Sequence, residues 1–150
     1  MNTKFKRIYF LVLIALVVSL TTVTFAQTRP YRVRDRQVQT LLNRIETRTD
    51  TFRRTIANAL DNSNINNTRR EDRIDTYIND FENATDSLKR NFSGNRSTTD
   101  DVQEVLNRAA NIDRFMGNNQ ITRTAQNQWK LIRTDLSTLA NYYRVSWNWN

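Results

Sequence analysis

The sequence contains no cysteine and no histidine. Without cysteine we expect no disulfide, no thiol chemistry and no iron–sulfur cluster. Histidine is the commonest metal ligand and the commonest general base, and its absence also removes the Glu-x-x-His ligands of metal-binding helical bundles. We therefore expect no cofactor, no metal site and no catalytic residue, and nothing in the sequence indicates a small-molecule substrate.

Glycine and proline are also scarce, with Gly94, Gly117 and Pro30 the only examples in 150 residues. Because these residues form tight turns, their scarcity argues against a fold of many short strands. Lysine is rare after residue 26, where Lys89 and Lys130 stand alone. Arginine therefore supplies nearly all the positive charge of a basic chain.

The first 26 residues have the three parts of a secretory signal peptide. Lys4, Lys6 and Arg7 precede an almost wholly apolar run over residues 8–20, and a small residue, Ala26, ends the segment. The apolar helix enters the membrane while the basic end stays on the cytoplasmic side. We expect cleavage after residue 26 and export to the periplasm or the medium. The alternative is an uncleaved membrane anchor, for which a helix usually needs about 20 apolar residues.

Four amphipathic stretches follow, each with apolar residues at alternating steps of three and four. This periodicity predicts helices, and the short polar segments between them predict an antiparallel up-down-up-down four-helix bundle, an all-α fold. We expect a basic linker over 27–35, the bundle over 36–145 and an aromatic C-terminal tail over 146–150. The predicted N-caps are Asp35, Thr68, Thr98 and Thr122. The predicted core contains Val38, Leu42, Ile45, Phe52, Ile56, Ile74, Ile78, Phe81, Leu88, Val102, Leu106, Trp129, Ile132, Leu136 and Leu139.

Residues 38–44 and 102–108 are alike, which indicates either a duplicated helical hairpin or two helices of similar composition. Thr49 and Asp113 continue the apolar stripes of these two helices at equivalent positions. They are expected to form a buried polar layer, with Arg48 as the first candidate partner and Arg44 and Gln126 as others. A buried carboxylate needs such a partner. The alternative is that Ile112 faces the core and leaves the carboxylate in water.

Several short motifs distinguish the chain after residue 26: Asp35-Arg36-Gln37-Val38, Leu42-Asn43-Arg44-Ile45-Glu46, Asp50-Thr51-Phe52-Arg53, Thr68-Arg69-Arg70-Glu71-Asp72, Ile112-Asp113-Arg114-Phe115-Met116 and Val145-Ser146-Trp147. With these motifs the sequence resembles a group of uncharacterised exported bacterial helical proteins with no known activity. The resemblance implies a helical fold and an envelope or secreted location. It transfers no functional residue.

Arginines are concentrated in the first predicted helix and at the start of the second. Arg32, Arg34, Arg36, Arg69 and Arg70 are candidate contacts for an anionic lipid or polymer, because a guanidinium group matches phosphate and carboxylate geometry. The alternative is a solvated face on which these arginines alternate with acidic residues. Export argues against a nucleic-acid partner.

The tail carries Trp147 and Trp149. Exposed indoles would form a tip that contacts a partner, whereas the alternative is that they fold back onto the end of the bundle. The leading hypothesis is a non-catalytic extracytoplasmic bundle acting through protein–protein contact, as an envelope scaffold, adaptor or chaperone-like module. The alternative hypothesis is a binder of anionic membrane surfaces or polymers through an arginine-rich face.

Overall fold

Helices account for most of the residues that the computed structural model describes, which are 31–61, 68–94, 96–119 and 121–149. They are α1 (Tyr31–Asp61), α2 (Arg69–Ser93), α3 (Thr99–Asn118) and α4 (Arg123–Tyr143). No strand occurs within these ranges, so the predicted all-α class is confirmed. The predicted signal peptide lies outside them. None of the helices in the described part of the chain has the length and apolar character of a membrane span.

Helix α1 begins earlier than the sequence pattern predicted. It already includes Tyr31, so the expected linker over 27–35 is too long and Asp35 is not an N-cap. Arg32, Arg34 and Arg36 therefore belong to a helix rather than to an extended lead-in.

Threonine side chains cap α2 and α4, as predicted, whereas the predicted cap at Thr98 is not made. The Thr68 hydroxyl accepts a hydrogen bond from the Arg70 amide, and the Thr122 hydroxyl accepts one from the Ala125 amide, both at 3.3 Å. Such bonds satisfy amide groups that have no partner inside the helix. Thr98 precedes α3 but makes no capping bond. Its hydroxyl instead donates to the Tyr143 hydroxyl at 2.9 Å, which connects the start of α3 to the end of α4.

The predicted core is confirmed, because all fifteen of its residues are buried. Phe52 and Phe81 are its largest fully buried side chains. The aromatic rings meet at Trp129, whose ring centroid lies 5.4 Å from Phe52 and 6.3 Å from Phe81. One indole on α4 thus contacts both α1 and α2, at the centre of the residues from Val33 onward that form one compact unit.

Polar contacts connect α1 with α2. Arg53 binds Glu82, whereas Glu46, earlier in α1, binds Lys89, later in α2. The middle of α1 therefore lies near the end of α2.

Similar contacts connect α2 with α3, through Asn91 and Asp101, and α3 with α4, through Asp113 and Trp129. The contact between α1 and α4 is the ion pair described next. These polar contacts join each helix to two of the other three, and Trp129 adds the aromatic contact between α4 and α2.

Candidate functional site

Asp135 in α4 is the one charged residue that is buried in the part of the chain that the structure describes. Its carboxylate is 4 % exposed and binds two arginines of α1. Arg44 holds it with Nη2 at 2.7 Å from Oδ1 and Nε at 3.0 Å from Oδ2. Arg48 Nη1 donates to Oδ2 at 2.5 Å and to the Leu131 carbonyl at 3.1 Å. The two arginines and the carboxylate, here called the α1–α4 clamp, join the two helices.

The geometry of the clamp indicates that it stabilises the fold rather than binds a ligand. A bidentate guanidinium and a second cation occupy both carboxylate oxygens, and the hydrogen bonds to Asp135 raise the pKa of Arg44. Charge-assisted bonds of this kind are stronger than neutral ones. The carboxylate is fully engaged inside the fold, so it offers no free acceptor for a ligand.

The clamp replaces the predicted polar layer. Arg48 was the expected partner of Asp113, but it binds Asp135. Thr49 is buried as predicted, yet its hydroxyl donates to the Ile45 carbonyl of its own helix at 2.8 Å. The sequence did contain a signal for the clamp, because Arg44 and Arg48 are spaced by four on one helix face.

Asp113 lies at the edge of the core, with its side chain 10 % exposed. Trp129 Nε1 donates to its Oδ1 at 2.8 Å, and Arg133 Nη1 lies 3.2 Å from the same oxygen. Ile112, its neighbour in sequence, is fully buried. Ile112 thus faces the core, as the alternative has it, but Asp113 is not left in water, because Trp129 and Arg133 hold its carboxylate. Gln126, also considered as a partner, donates to the Met116 carbonyl instead.

The aromatic tail folds back onto the bundle. Trp147 and Trp149 are partly buried against the core, with their ring centroids 5.7 Å apart. Trp149 lies edge-on to Trp129 at 6.4 Å and donates from Nε1 to Ser137 Oγ at 2.9 Å. The Arg133 guanidinium carbon lies 4.9 Å from the centre of the Trp149 ring, within the range of a cation–π contact. The proposed partner-contacting tip is thus largely occupied by the protein itself.

A cavity of about 700 Å³ opens between α3 and α4 beside Trp149. We call it the α3–α4 groove, and its volume is in the range of ligand sites. Its floor and walls combine indole, thioether, basic and amide side chains. The residues that line it include Asp113, Arg114, Met116, Gln126, Asn127, Trp129, Lys130, Arg133 and Trp149.

A smaller cavity of about 190 Å³, the α2–α3 groove, lies on the adjoining face. Arg70, Arg73 and Arg114 line it together with Tyr77. Because Arg114 lines both cavities, the two grooves are neighbours.

The arginines predicted to meet an anionic partner do not form one patch. Arg36, Arg69 and Arg70 are exposed, whereas the side chains of Arg32 and Arg34 lie outside the described residues. Arg36 is near the start of α1, whose middle lies beside the end of α2, while Arg69 and Arg70 begin α2. Only Arg70 lines a groove. The basic residues that accompany it, from α3 and α4, were not singled out from the sequence because their proximity depends on three helices.

The arrangement supplies binding groups: two grooves, three basic residues in each, and an indole at the wall of the larger one. Across the described ranges, no three acidic residues gather in a way that could hold a metal ion. No family model, no curated protein and no solved structure matches this chain. Its function is therefore inferred from its own residues.

Proposed function

We propose that this protein is exported from a bacterial cell and acts, without catalysing a reaction, by contact with another protein of the cell envelope. The pattern of residues 1–26 and the resemblance to exported bacterial proteins support the location. A scaffold, an adaptor and a chaperone-like module are the roles that fit a small helical domain of this kind. The helices are proposed to run up-down-up-down, an arrangement supported by the ion pairs between α1 and α2.

The observation that carries the proposal is the lining of the α3–α4 groove. Trp149, Met116 and Arg133 meet there, and aromatic residues, methionine and arginine are the types enriched in protein interfaces. Tryptophan and arginine are also the residues that most often dominate binding energy. Gln126 and Asn127 add the polar groups that a peptide backbone requires as hydrogen-bond partners.

Photo-crosslinking tests this proposal in the cells that produce the protein. A photoreactive residue replaces Asn127, which is exposed at the groove, and a matched control replaces Thr40, which is exposed on α1. We expect a discrete protein adduct from position 127, absent from position 40 and reduced by Trp149→Ala. No adduct, or the same adducts from both positions, would rule the proposal out.

A second candidate function is attachment to an anionic membrane surface or polymer. The exposed side chains of Arg36, Arg69 and Arg70 favour it, since each basic residue near an anionic bilayer adds about 1 kcal/mol. Sedimentation with anionic and neutral vesicles tests this candidate. Salt-labile binding to anionic vesicles, weakened by Arg36→Gln and Arg69→Gln together, is its expected result. Equal binding to both kinds of vesicle, or none at low salt, would remove it.

A further inference from the structure

Basic residues gather on the face that α2, α3 and α4 share. Arg70 and Arg73 come from α2, Arg114 from α3, and Lys130 and Arg133 from α4. Arg114 lines both grooves, so these residues form a continuous series, which we call the basic band. In α2 the spacing of three between Arg70 and Arg73 places both on one helix face.

Most of the basic band has no acidic neighbour. Among the described carboxylates, none lies within ion-pair distance of Arg70, Arg73, Arg114 or Lys130. By contrast, Arg44, Arg48, Arg53 and Arg108 all bind carboxylates elsewhere in the fold. Other exposed arginines, such as Arg36 and Arg90, are also outside these ion pairs, so the band is distinguished by lining two grooves, where Asp113 is paired with Arg133 alone.

Acidic side chains are rare in the lining of the two grooves, although Glu71 and Asp72 stand between Arg70 and Arg73 in the sequence. Asp113 is the single carboxylate that lines either described groove, and Trp129 and Arg133 already hold it. In α2, Glu82 binds Arg53 of α1, and Asp75 lies within the field of the same arginine. Asp80, also in α2, lies 3.4 Å from Arg108 of α3, which is not a residue of the band.

Helix ends do not cancel this positive charge. The carboxyl end of a helix carries partial negative charge, and α3 ends beside both grooves. Two of its last carbonyls are covered, because Gln126 donates to the Met116 carbonyl at 3.0 Å and Asn119 donates to the Phe115 carbonyl at 2.8 Å. A ligand in the grooves would meet amide side chains there rather than bare acceptors.

We propose that the basic band binds an extended acidic segment of the partner protein, which runs from the α2–α3 groove across Arg114 into the α3–α4 groove. This inference rests on the proposed function and names the chemistry of its partner. In an extended peptide alternate side chains point to the same side, so a segment with repeated acidic residues presents a row of carboxylates to a row of cations. Tyr77 and Trp149 provide apolar contact at the two grooves.

A peptide fits this face better than a membrane does. The cations line concave grooves, into which a narrow chain can enter while a flat bilayer would contact only the rims. The exposed amide of Asn127 also matches a peptide backbone, since an amide both donates and accepts hydrogen bonds.

The test measures the affinity of the purified protein for a fluorescently labelled short peptide of alternating glutamate and alanine. The control peptide has glutamine in place of glutamate. We expect salt-sensitive binding of the acidic peptide alone. Arg114→Gln with Lys130→Gln should weaken it roughly tenfold, as expected for the loss of two exposed ion pairs.

The matched control variant is Arg36→Gln with Arg90→Gln, which removes the same charge from exposed positions on other parts of α1 and α2. It should change the affinity by less than about twofold, because distant surface charges are screened by salt. Equal weakening by both double variants would overturn the inference and leave overall charge as the cause. Binding of the glutamine peptide, or no binding at low salt, would overturn it as well.

Further comparisons of binding and crosslinking distinguish a failure of this inference from a failure of the proposed function on which it rests. If anionic vesicles or heparin bind through Arg114 and Lys130 while the acidic peptide does not, the ligand is a membrane or polymer and the inference is wrong. If the crosslink from position 127 persists in the Arg114→Gln, Lys130→Gln variant and the peptide fails to bind, the inference fails and the proposed function stands. If the peptide binds through the band but no protein crosslinks at position 127, the inference is supported and the proposed function fails.

Discussion

Replacing Arg44 and Arg48 together should cost the fold more than replacing the carboxylate that they share. With both arginines changed to glutamine, the Asp135 carboxylate would remain buried without a cation. An uncompensated buried charge of this kind typically costs about 3–5 kcal/mol. The reverse change, Asp135→Leu, leaves two guanidinium groups whose side chains are 47 % and 31 % exposed. Both can turn toward water, so we expect a change within about 1 kcal/mol.

Urea unfolding followed by circular dichroism measures this difference. A loss of about 3–5 kcal/mol would be a large part of the 5–15 kcal/mol that stabilises a typical domain, so the unfolding midpoint should fall clearly while the slope stays the same. The matched control is Arg54→Gln with Arg108→Gln, two arginines on the surface, for which we expect less than about 1 kcal/mol. A leucine variant less stable than the arginine double variant would refute the reasoning, as would a double variant that loses no more than this control.

Three other measurements follow from the fold and the N-terminal sequence. Phe81→Ala or Leu136→Ala should each cost about 2–5 kcal/mol in urea unfolding because both side chains are fully buried, and two neutral changes would mean that the helix phases are wrong. Desolvation, followed by the charge of Glu71, raises the pKa of Asp75. The native state therefore binds this proton more tightly than the unfolded state, and stability falls as the pH rises from about 3.9 through the raised pKa. Asp75→Asn should remove that loss and raise the melting temperature at pH 7 but not at pH 3, whereas an unchanged pH profile would exclude the effect. Mass spectrometry of the exported protein should find Gln27 as the first residue; a full-length, membrane-retained product would instead support the anchor.

Helix phase could be predicted from the sequence because it depends on spacing alone. Ile74, Ile78 and Phe81 repeat with the helical period, and nothing else in that stretch offers a competing apolar face. The same reasoning placed Thr49 inside the bundle, where its hydroxyl donates a hydrogen bond to the Ile45 carbonyl of the preceding turn.

The identity of the buried carboxylate could not be predicted in this way. Asp113 of α3 and Asp135 of α4 both lie next to apolar residues in the sequence, and the spacing does not show which of them Arg44 and Arg48 reach. Both arginines bind Asp135, a contact that depends on how α1 packs against α4. The basic band was missed for a similar reason, because its members are far apart in sequence and meet only when three helices pack.

The packing of the tail has an optical consequence. The chain contains three tryptophans, and Trp129, Trp147 and Trp149 form one continuous cluster, with neighbouring ring centroids 6.4 and 5.7 Å apart. Their near-ultraviolet circular dichroism therefore comes from a single cluster that includes residues of both the bundle core and the tail. Such signals require fixed tertiary packing, whereas the far-ultraviolet signal reports helix content. Release of the tail from the wall of the α3–α4 groove would thus weaken the near-ultraviolet circular dichroism of the tryptophans while the far-ultraviolet signal of the helices remains.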